Sequence, residues 1–126
     1  MSIRTPIARV RGHGSARSGT THFWHQRVTA LANVFLVTAF VVILVSLFGR
    51  NQATAQQTLG TPLVAIIMLL FIGSVTFHMR LGMQVIIEDY VPHETQKLTL
   101  LVLNTFYSVA IGLACAYAIL KLSSGV

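Results

Sequence analysis

Three residues in the second half of the chain, His78, Asp89 and Tyr90, have side chains that could do chemistry. A neutral imidazole is the usual protein ligand of haem iron, and a phenol or carboxyl group can donate or relay protons to a polar substrate. In a continuous helix, the step from His78 to Asp89 corresponds to about 1100° of rotation and a rise of about 16 Å, so both side chains share one face. This spacing suits a cofactor inside a helix bundle with a lipid-soluble substrate at its mouth. Taken alone, however, a histidine such as His78 more often hydrogen-bonds a neighbouring helix.

The elements that must position these residues are three long apolar runs. Of the 126 residues, 54% are hydrophobic and 10% are charged, which excludes a disordered chain and argues against a water-soluble domain. Residues 28–48, 62–87 and 98–120 are long enough to cross a bilayer as helices. We therefore predict an all-α integral membrane protein with an N-terminal segment, 1–27, and a three-helix membrane region, 28–126. The N-terminal segment carries the interfacial aromatic residues Phe23 and Trp24, after a flexible lead-in around Gly19.

Basic residues near the ends of the runs predict the orientation in the membrane. Five arginines precede the first run, and Arg80 and Lys97 flank the same end of the second and third runs, whereas Arg50 and Lys121 lie at the other end. By the positive-inside rule, this distribution places the N-terminus in the cytoplasm, or in a mitochondrial matrix, and the C-terminus on the opposite side. The net charge of +6 is accounted for in this way, without a nucleic-acid partner.

Several other polar or small residues within the runs are interpreted as structural. Three side chains are expected to hydrogen-bond between helices: Asn33, Asn104 and Ser108. Arg80 lies about 200° around the helix from His78, and its long side chain can reach the headgroups. Gly82 falls one turn after His78 and removes bulk from the same face, which either a flat macrocycle or a closely packed helix requires.

The segment 78–91, His-Met-Arg-Leu-Gly-Met-Gln-Val-Ile-Ile-Glu-Asp-Tyr-Val, resembles a family signature. A His followed four residues later by Gly, then by a Gln-Val pair and an Asp-Tyr pair, is similar to the small hydrophobic membrane-anchor subunit of succinate dehydrogenase, respiratory complex II. Residues 15–30, which contain Ser-Ala-Arg-Ser-Gly, His-Phe and Arg-Val-Thr-Ala, resemble the lead-in to the first helix of the same family. Together with three spans, the resemblance covers nearly the whole chain.

The resemblance implies a role for each matched residue. His78 corresponds to an axial ligand of haem b, whose other axial histidine belongs to the partner cytochrome b subunit. Tyr90 corresponds to the tyrosine that donates a hydrogen bond to a ubiquinone carbonyl oxygen, and Asp89 to its neighbour on the protonation path. Arg27 corresponds to an arginine near the haem propionates. No residue of this chain is expected to be catalytic by itself.

The resemblance also implies partner subunits and a location. The chain has one cysteine, Cys115, and no Gly-rich nucleotide motif, so the electrons must come from elsewhere. The resemblance implies that they come from a flavoprotein and an iron–sulfur subunit docked on the cytoplasmic face. The chain would then be part of an enzyme only as a subunit of succinate dehydrogenase. The expected location is a bacterial inner membrane, or a mitochondrial inner membrane if the Arg-rich N-terminus is a transit peptide.

Three alternatives stay open at this stage. The chain could be the anchor of a fumarate reductase, because the anchor sequence does not fix the direction of electron flow. It could also be a three-helix structural or assembly protein without haem, in which His78 merely bonds a neighbour. A transporter ranks last, since three spans with one buried histidine offer little of a substrate pathway. Haem content discriminates the second alternative from the leading interpretation.

Overall fold

A computed structural model describes residues 5–7, 12 and 19–125, and this part of the chain contains helices and no strand. Within residues 19–125, four helices follow one another: α1 (Gly19–Leu47), α2 (Gln52–Gly60), α3 (Pro62–Tyr90) and α4 (Glu94–Ser124). Helices α1, α3 and α4 are long and apolar enough to cross a membrane, which confirms the predicted all-α fold with three spans. The four arginines before Gly19, which contribute to the predicted orientation, lie outside the described residues.

The long helices extend beyond the apolar runs. Helix α1 already begins at Gly19, so Phe23 and Trp24 lie on a helix and the expected flexible lead-in around Gly19 is wrong. Helix α3 continues to Tyr90, and α4 begins at Glu94. The helices are longer than the apolar runs for a physical reason. Hydropathy marks where the hydrocarbon core of the membrane ends, whereas a helix can continue into the polar headgroup layer while its backbone hydrogen bonds are still formed.

The connections end the helices with recognisable local structure. Gly49 follows α1 with φ +74°, a left-handed conformation that glycine adopts without steric cost. The short helix α2, which the sequence analysis did not predict, begins after Asn51, whose side-chain oxygen accepts a hydrogen bond from the Thr54 N–H at 2.9 Å. Pro62 is the first residue of α3, as expected for a residue that lacks an N–H. Pro92 separates α3 from α4.

Helix α3 is the central element. It packs against α1 on one side and against α4 on another, and α2 rests on α4 and the beginning of α3. Near this end, Ala65, Met68 and Ile119 form a buried cluster, and the rings of Phe40 and Phe71 stack with their centroids 4.4 Å apart. Helix α3 also carries His78, so the position of this histidine is fixed by packing against both α1 and α4.

The outer surface is apolar. In the described part of the chain, five apolar side chains are buried: Ala65, Met68, Leu81, Ile87 and Ile119. Most of the large aliphatic and aromatic side chains point outward along the three long helices. An apolar surface of this extent needs lipid or a partner subunit to cover it, since soluble monomers rarely expose large contiguous apolar patches.

Candidate functional site

One face of α1 meets one face of α3 through polar and small residues. We call this surface the polar seam, and it comprises His22, Gln26, Thr29, Asn33, Ser74, His78 and Gly82. The α1 members are spaced by three or four residues and the α3 members by four, so each set follows a single helical face. The two helices run antiparallel, and the residues of the seam meet in pairs at successive levels.

Two pairs flank the centre of the polar seam. At one level, the Ser74 hydroxyl donates a hydrogen bond to Asn33 Oδ1 at 2.7 Å, which confirms the interhelical role predicted for Asn33. At another level, a Cβ added to Gly82 would lie 3.6 Å from Gln26 Nε2. That distance is an ordinary van der Waals contact with the end of a flexible side chain, so both uses considered for Gly82 stay predictions.

His78 occupies the level between these pairs. Its side chain is half-buried, and its Nδ1 lies 3.0 Å from the Thr29 hydroxyl oxygen. In the described part of the chain, Nδ1 is the ring nitrogen of His78 for which a hydrogen-bond partner is present. A neutral imidazole that is held through Nδ1 can present Nε2 as a ligand, which is the usual arrangement at metal sites. Beside it, the rings of Phe77 and His25 meet edge to face at 5.7 Å.

Two polar atoms of the seam are buried without a partner. His22 Nε2 and Gln26 Oε1 have no hydrogen-bond partner among the described residues. Both residues lie on α1 between its start and Thr29, which is the direction of the Tyr90 end of α3. More than about nine in ten buried polar atoms have a hydrogen-bond partner. These two atoms could therefore bind a polar group that does not belong to this chain.

Arg27 is not brought to His78. Its side chain is exposed, and its guanidinium lies 4.8 Å from the centroid of the Phe23 ring on the same helix, a cation–π contact. Arg27 lies two positions before Thr29, a step of about 200° around a helix, so Arg27 faces away from the polar seam. Its role near haem propionates stays a prediction.

Asp89 and Tyr90 form the end of α3 and are exposed, with Tyr90 at 80% relative exposure. Tyr90 lines an open groove of about 520 Å³ at the α3–α4 turn, together with Pro92 and Thr95. No contact within the described residues joins Asp89 or Tyr90 to His78. His78, Asp89 and Tyr90 thus lie on α3 at two depths rather than in one cluster, and Arg27 lies on α1.

The other residues predicted to hydrogen-bond between helices, Asn104 and Ser108, lie where α4 packs against α3. Asn104 Nδ2 donates to the Arg80 carbonyl oxygen at 3.0 Å, which confirms its interhelical role, and Arg80 Nε donates to Thr105 Oγ1 at 3.3 Å. Ser108 is 1% exposed, and its hydroxyl has no partner within the described residues, so the hydrogen bond predicted for it is wrong. The reason is its surroundings: it lines a groove with mostly apolar and small residues, such as Gly112.

Thr29 and Gln26 are the site residues that sequence reasoning missed. A signal existed, because residues 22, 26, 29 and 33 are all polar and follow one another at helical spacing. That stripe predicts a polar face on α1. It does not by itself predict which residue of α3 each member meets.

The fold and the site define a multi-pass membrane protein with a histidine seated between two of its three apolar helices, and with no group of three or more metal-ligating side chains in its described part. The chain belongs to the succinate dehydrogenase/fumarate reductase transmembrane subunit family, which it matches over residues 1–112.

Individual relatives agree with this assignment. The chain is similar to the succinate dehydrogenase hydrophobic membrane anchor subunit of Paracoccus denitrificans, with 29% identity over 125 residues, 99% of this chain and 96% of the relative. Subunits of the same name from Rickettsia bellii and Rickettsia conorii are 28% and 26% identical, and each match covers 85% of this chain and 86% of the relative. No solved structure matches the chain significantly.

Proposed function

We propose that this chain is the hydrophobic membrane-anchor subunit of a succinate:ubiquinone oxidoreductase. In this role it docks the flavoprotein and iron–sulfur subunits to the membrane, supplies one axial ligand of haem b and forms part of the ubiquinone-reduction site. Family membership and the names of the relatives support the anchor role. The observation that carries the haem role is the half-buried His78, hydrogen-bonded through Nδ1 within the polar seam.

The residues present fit a haem. His78 can offer one neutral nitrogen, and a haem iron needs only axial ligands from protein because the macrocycle provides the other four. The buried, unpartnered His22 Nε2 could donate a hydrogen bond to a propionate at the polar edge of such a group. When bound, the haem supplies a one-electron carrier, with its second axial histidine coming from the partner cytochrome b subunit. The contribution of this chain is to hold and orient one imidazole.

The end of α3 suits quinone chemistry. Reduction of a quinone places negative charge on a carbonyl oxygen, and a phenol hydroxyl such as that of Tyr90 can donate a hydrogen bond to it. Asp89 is adjacent and exposed, so its carboxyl group can exchange a proton with water. The oxidation of succinate to fumarate is assigned to the soluble partner subunits.

The proposed location is a bacterial inner membrane with the Tyr90 end of α3 at the cytoplasmic face. Three apolar helices and relatives from bacteria support a multi-pass membrane location. The positive-inside count supports the orientation, because Lys97 and Arg27 lie at the same end as Tyr90. Docking of soluble subunits on that face would bring their electrons close to the quinone groove.

The test is the visible absorption spectrum of the assembled complex that contains His78→Ala. We expect the low-spin, bis-histidine haem spectrum of the parent complex to be lost, because the variant removes one axial nitrogen. His93→Ala is the matched control, since His93 is an exposed histidine at the α3–α4 turn and should leave the spectrum unchanged. A normal low-spin spectrum in the His78→Ala complex would refute the ligand assignment and favour an anchor without haem.

A second candidate is the anchor of a fumarate reductase, which the family description also covers. The names of the reported relatives favour succinate oxidation. Comparison of succinate oxidation with quinol-driven fumarate reduction by the purified complex distinguishes the two.

A further inference from the structure

We propose that Thr29 is a positioning residue for His78: its hydroxyl oxygen accepts a hydrogen bond from the Nδ1–H group, which keeps the ring proton on Nδ1 and leaves Nε2 unprotonated to bind iron. This inference rests on the proposed haem role of His78 and adds a residue on a different helix. Thr29 lies in the Arg-Val-Thr-Ala segment of α1, and His78 lies in the middle of α3. The contact between them joins two of the three spanning helices.

Three distances favour one direction for the hydrogen bond between Thr29 and His78. Thr29 Oγ1 lies 2.7 Å from the His25 carbonyl oxygen, 3.2 Å from the Gln26 carbonyl oxygen and 3.0 Å from His78 Nδ1. A carbonyl oxygen can only accept, so Thr29 must be the donor toward His25. The value of 2.7 Å is typical of an O–H···O bond, and 3.0 Å is typical of a bond donated by N–H.

A hydroxyl has a single hydrogen to donate. If that hydrogen points to the His25 carbonyl, the lone pairs of Thr29 Oγ1 can only accept, so a hydrogen bond with His78 requires the ring proton on Nδ1. The opposite tautomer would give up the shortest of the three contacts. It would also place the proton on Nε2, the nitrogen that a metal needs.

The neighbouring levels of the polar seam keep this arrangement in place. The Ser74–Asn33 hydrogen bond lies on one side of it, and the close approach of Gln26 to Gly82 lies on the other. A threonine in a helix commonly donates back to the carbonyl of the preceding turn, so the Thr29 hydroxyl is oriented by its own helix before it meets the imidazole. The sequence His78 N–H, Thr29 O–H, His25 C=O is therefore a short hydrogen-bond chain whose members polarise one another.

The chemical consequence concerns the iron-binding nitrogen. A hydrogen bond donated by one ring nitrogen fixes the tautomer and makes the other nitrogen a stronger electron donor to a metal. A stronger donor stabilises ferric over ferrous iron, and loss of the bond should raise the midpoint potential of the haem. Losses of such partners typically weaken metal affinity about 10- to 100-fold.

The experiment compares variants of the assembled complex by redox titration of the haem and by its low-spin electron paramagnetic resonance spectrum. Thr29→Val keeps the side-chain shape and removes the oxygen, whereas Thr29→Ser keeps the hydroxyl. Thr38→Val is the matched control, because Thr38 makes the same type of back-bond, 2.7 Å to the Val34 carbonyl, at an exposed position of the same helix.

We expect Thr29→Val to shift the midpoint potential upward and to lower haem retention, whereas Thr29→Ser and Thr38→Val resemble the parent. If Thr29→Val does not assemble, Thr29→Cys takes its place, because a thiol accepts hydrogen bonds weakly and should shift the potential in the same direction. A midpoint potential and spectrum equal to those of the parent in the variant without the hydroxyl would overturn the proposal.

The outcome can be separated from the test of the proposed function. If His78→Ala abolishes the low-spin haem while Thr29→Val leaves the potential unchanged, only the role of Thr29 is lost. If His78→Ala retains the low-spin haem, the ligand assignment itself fails, and the role of Thr29 fails with it.

Discussion

At the scale of the residue, Tyr90 offers a direct test of the quinone role. Tyr90→Phe removes one hydroxyl from the groove and leaves the ring. We expect quinone reduction by the complex to fall about 100-fold, the effect typical of losing one donor to a developing oxyanion. Succinate oxidation with an artificial acceptor that bypasses the membrane should be retained. Both rates are measured on the same purified complex.

The matched control for that test is Tyr117→Phe, since Tyr117 is an exposed phenol on α4 outside the groove that Tyr90 lines. It should leave both rates unchanged. Equal quinone reduction by Tyr90→Phe and the parent would contradict the role of the hydroxyl as a donor.

The candidate residues differ in how far the sequence could reveal them. His78 could be found because an ionisable group is rare inside an apolar run, and the Asp-Tyr pair because it ends that run. Thr29 could not be assigned, since threonine is unremarkable in a membrane helix and its partner depends on how α1 and α3 align. Ser108 shows the same limit, because the sequence could not tell whether its hydroxyl would meet an acceptor.

At the scale of the element, the short helix α2 depends on Gly60. A Cβ at Gly60 would lie 2.8 Å from the Leu122 carbonyl oxygen of α4, and backbone atoms cannot move aside as the end of a flexible side chain can. We expect Gly60→Ala to reduce the stability of the packing between α2 and α4 by about 1–3 kcal/mol, the usual cost of overpacking. Thermal denaturation of the detergent-solubilised complex measures it.

Gly73→Ala is the matched control, because a Cβ added there would meet no atom within 4 Å among the described residues, apart from its chain neighbours and the backbone of its own helix. In the middle of α3, alanine is the better helix former by up to about 1 kcal/mol, so this variant should be as stable as the parent or more stable. Both substitutions add one methyl group. We expect Gly60→Ala to lower the stability of the complex and Gly73→Ala to leave it unchanged or raise it. A Gly60→Ala complex as stable as that of Gly73→Ala would show that α2 does not rest on α4 as described.

The elements were predictable to different degrees for a physical reason. The three spans follow from hydropathy and length alone, because a bilayer imposes both. Helix α2 has no long apolar run to reveal it, and its signal is local: the capping Asn51 and the alanines that follow. The close approach at Gly60 depends on where α4 ends relative to α2, and no local pattern contains that information.

At the scale of the whole molecule, the apolar exterior and the asymmetric distribution of charge both follow from insertion in a membrane. Lipid covers the outward side chains, and the partner subunits of the proposed complex cover a share of them. Orientation then decides whether Tyr90 faces the compartment of the soluble subunits. The basic residues that predict this orientation lie mostly in the N-terminal segment.

The orientation can be measured with single cysteines in a Cys115→Ala background. Gln56→Cys places a thiol on the exposed side of α2, and His93→Cys places one at the α3–α4 turn. In intact spheroplasts, a membrane-impermeant maleimide should label Gln56→Cys, because α2 lies on the periplasmic side in the proposed orientation. His93→Cys should be labelled only after detergent dissolves the membrane and dissociates the soluble subunits. Labelling of His93→Cys in intact spheroplasts would reverse the orientation and remove Tyr90 from the face where electrons arrive.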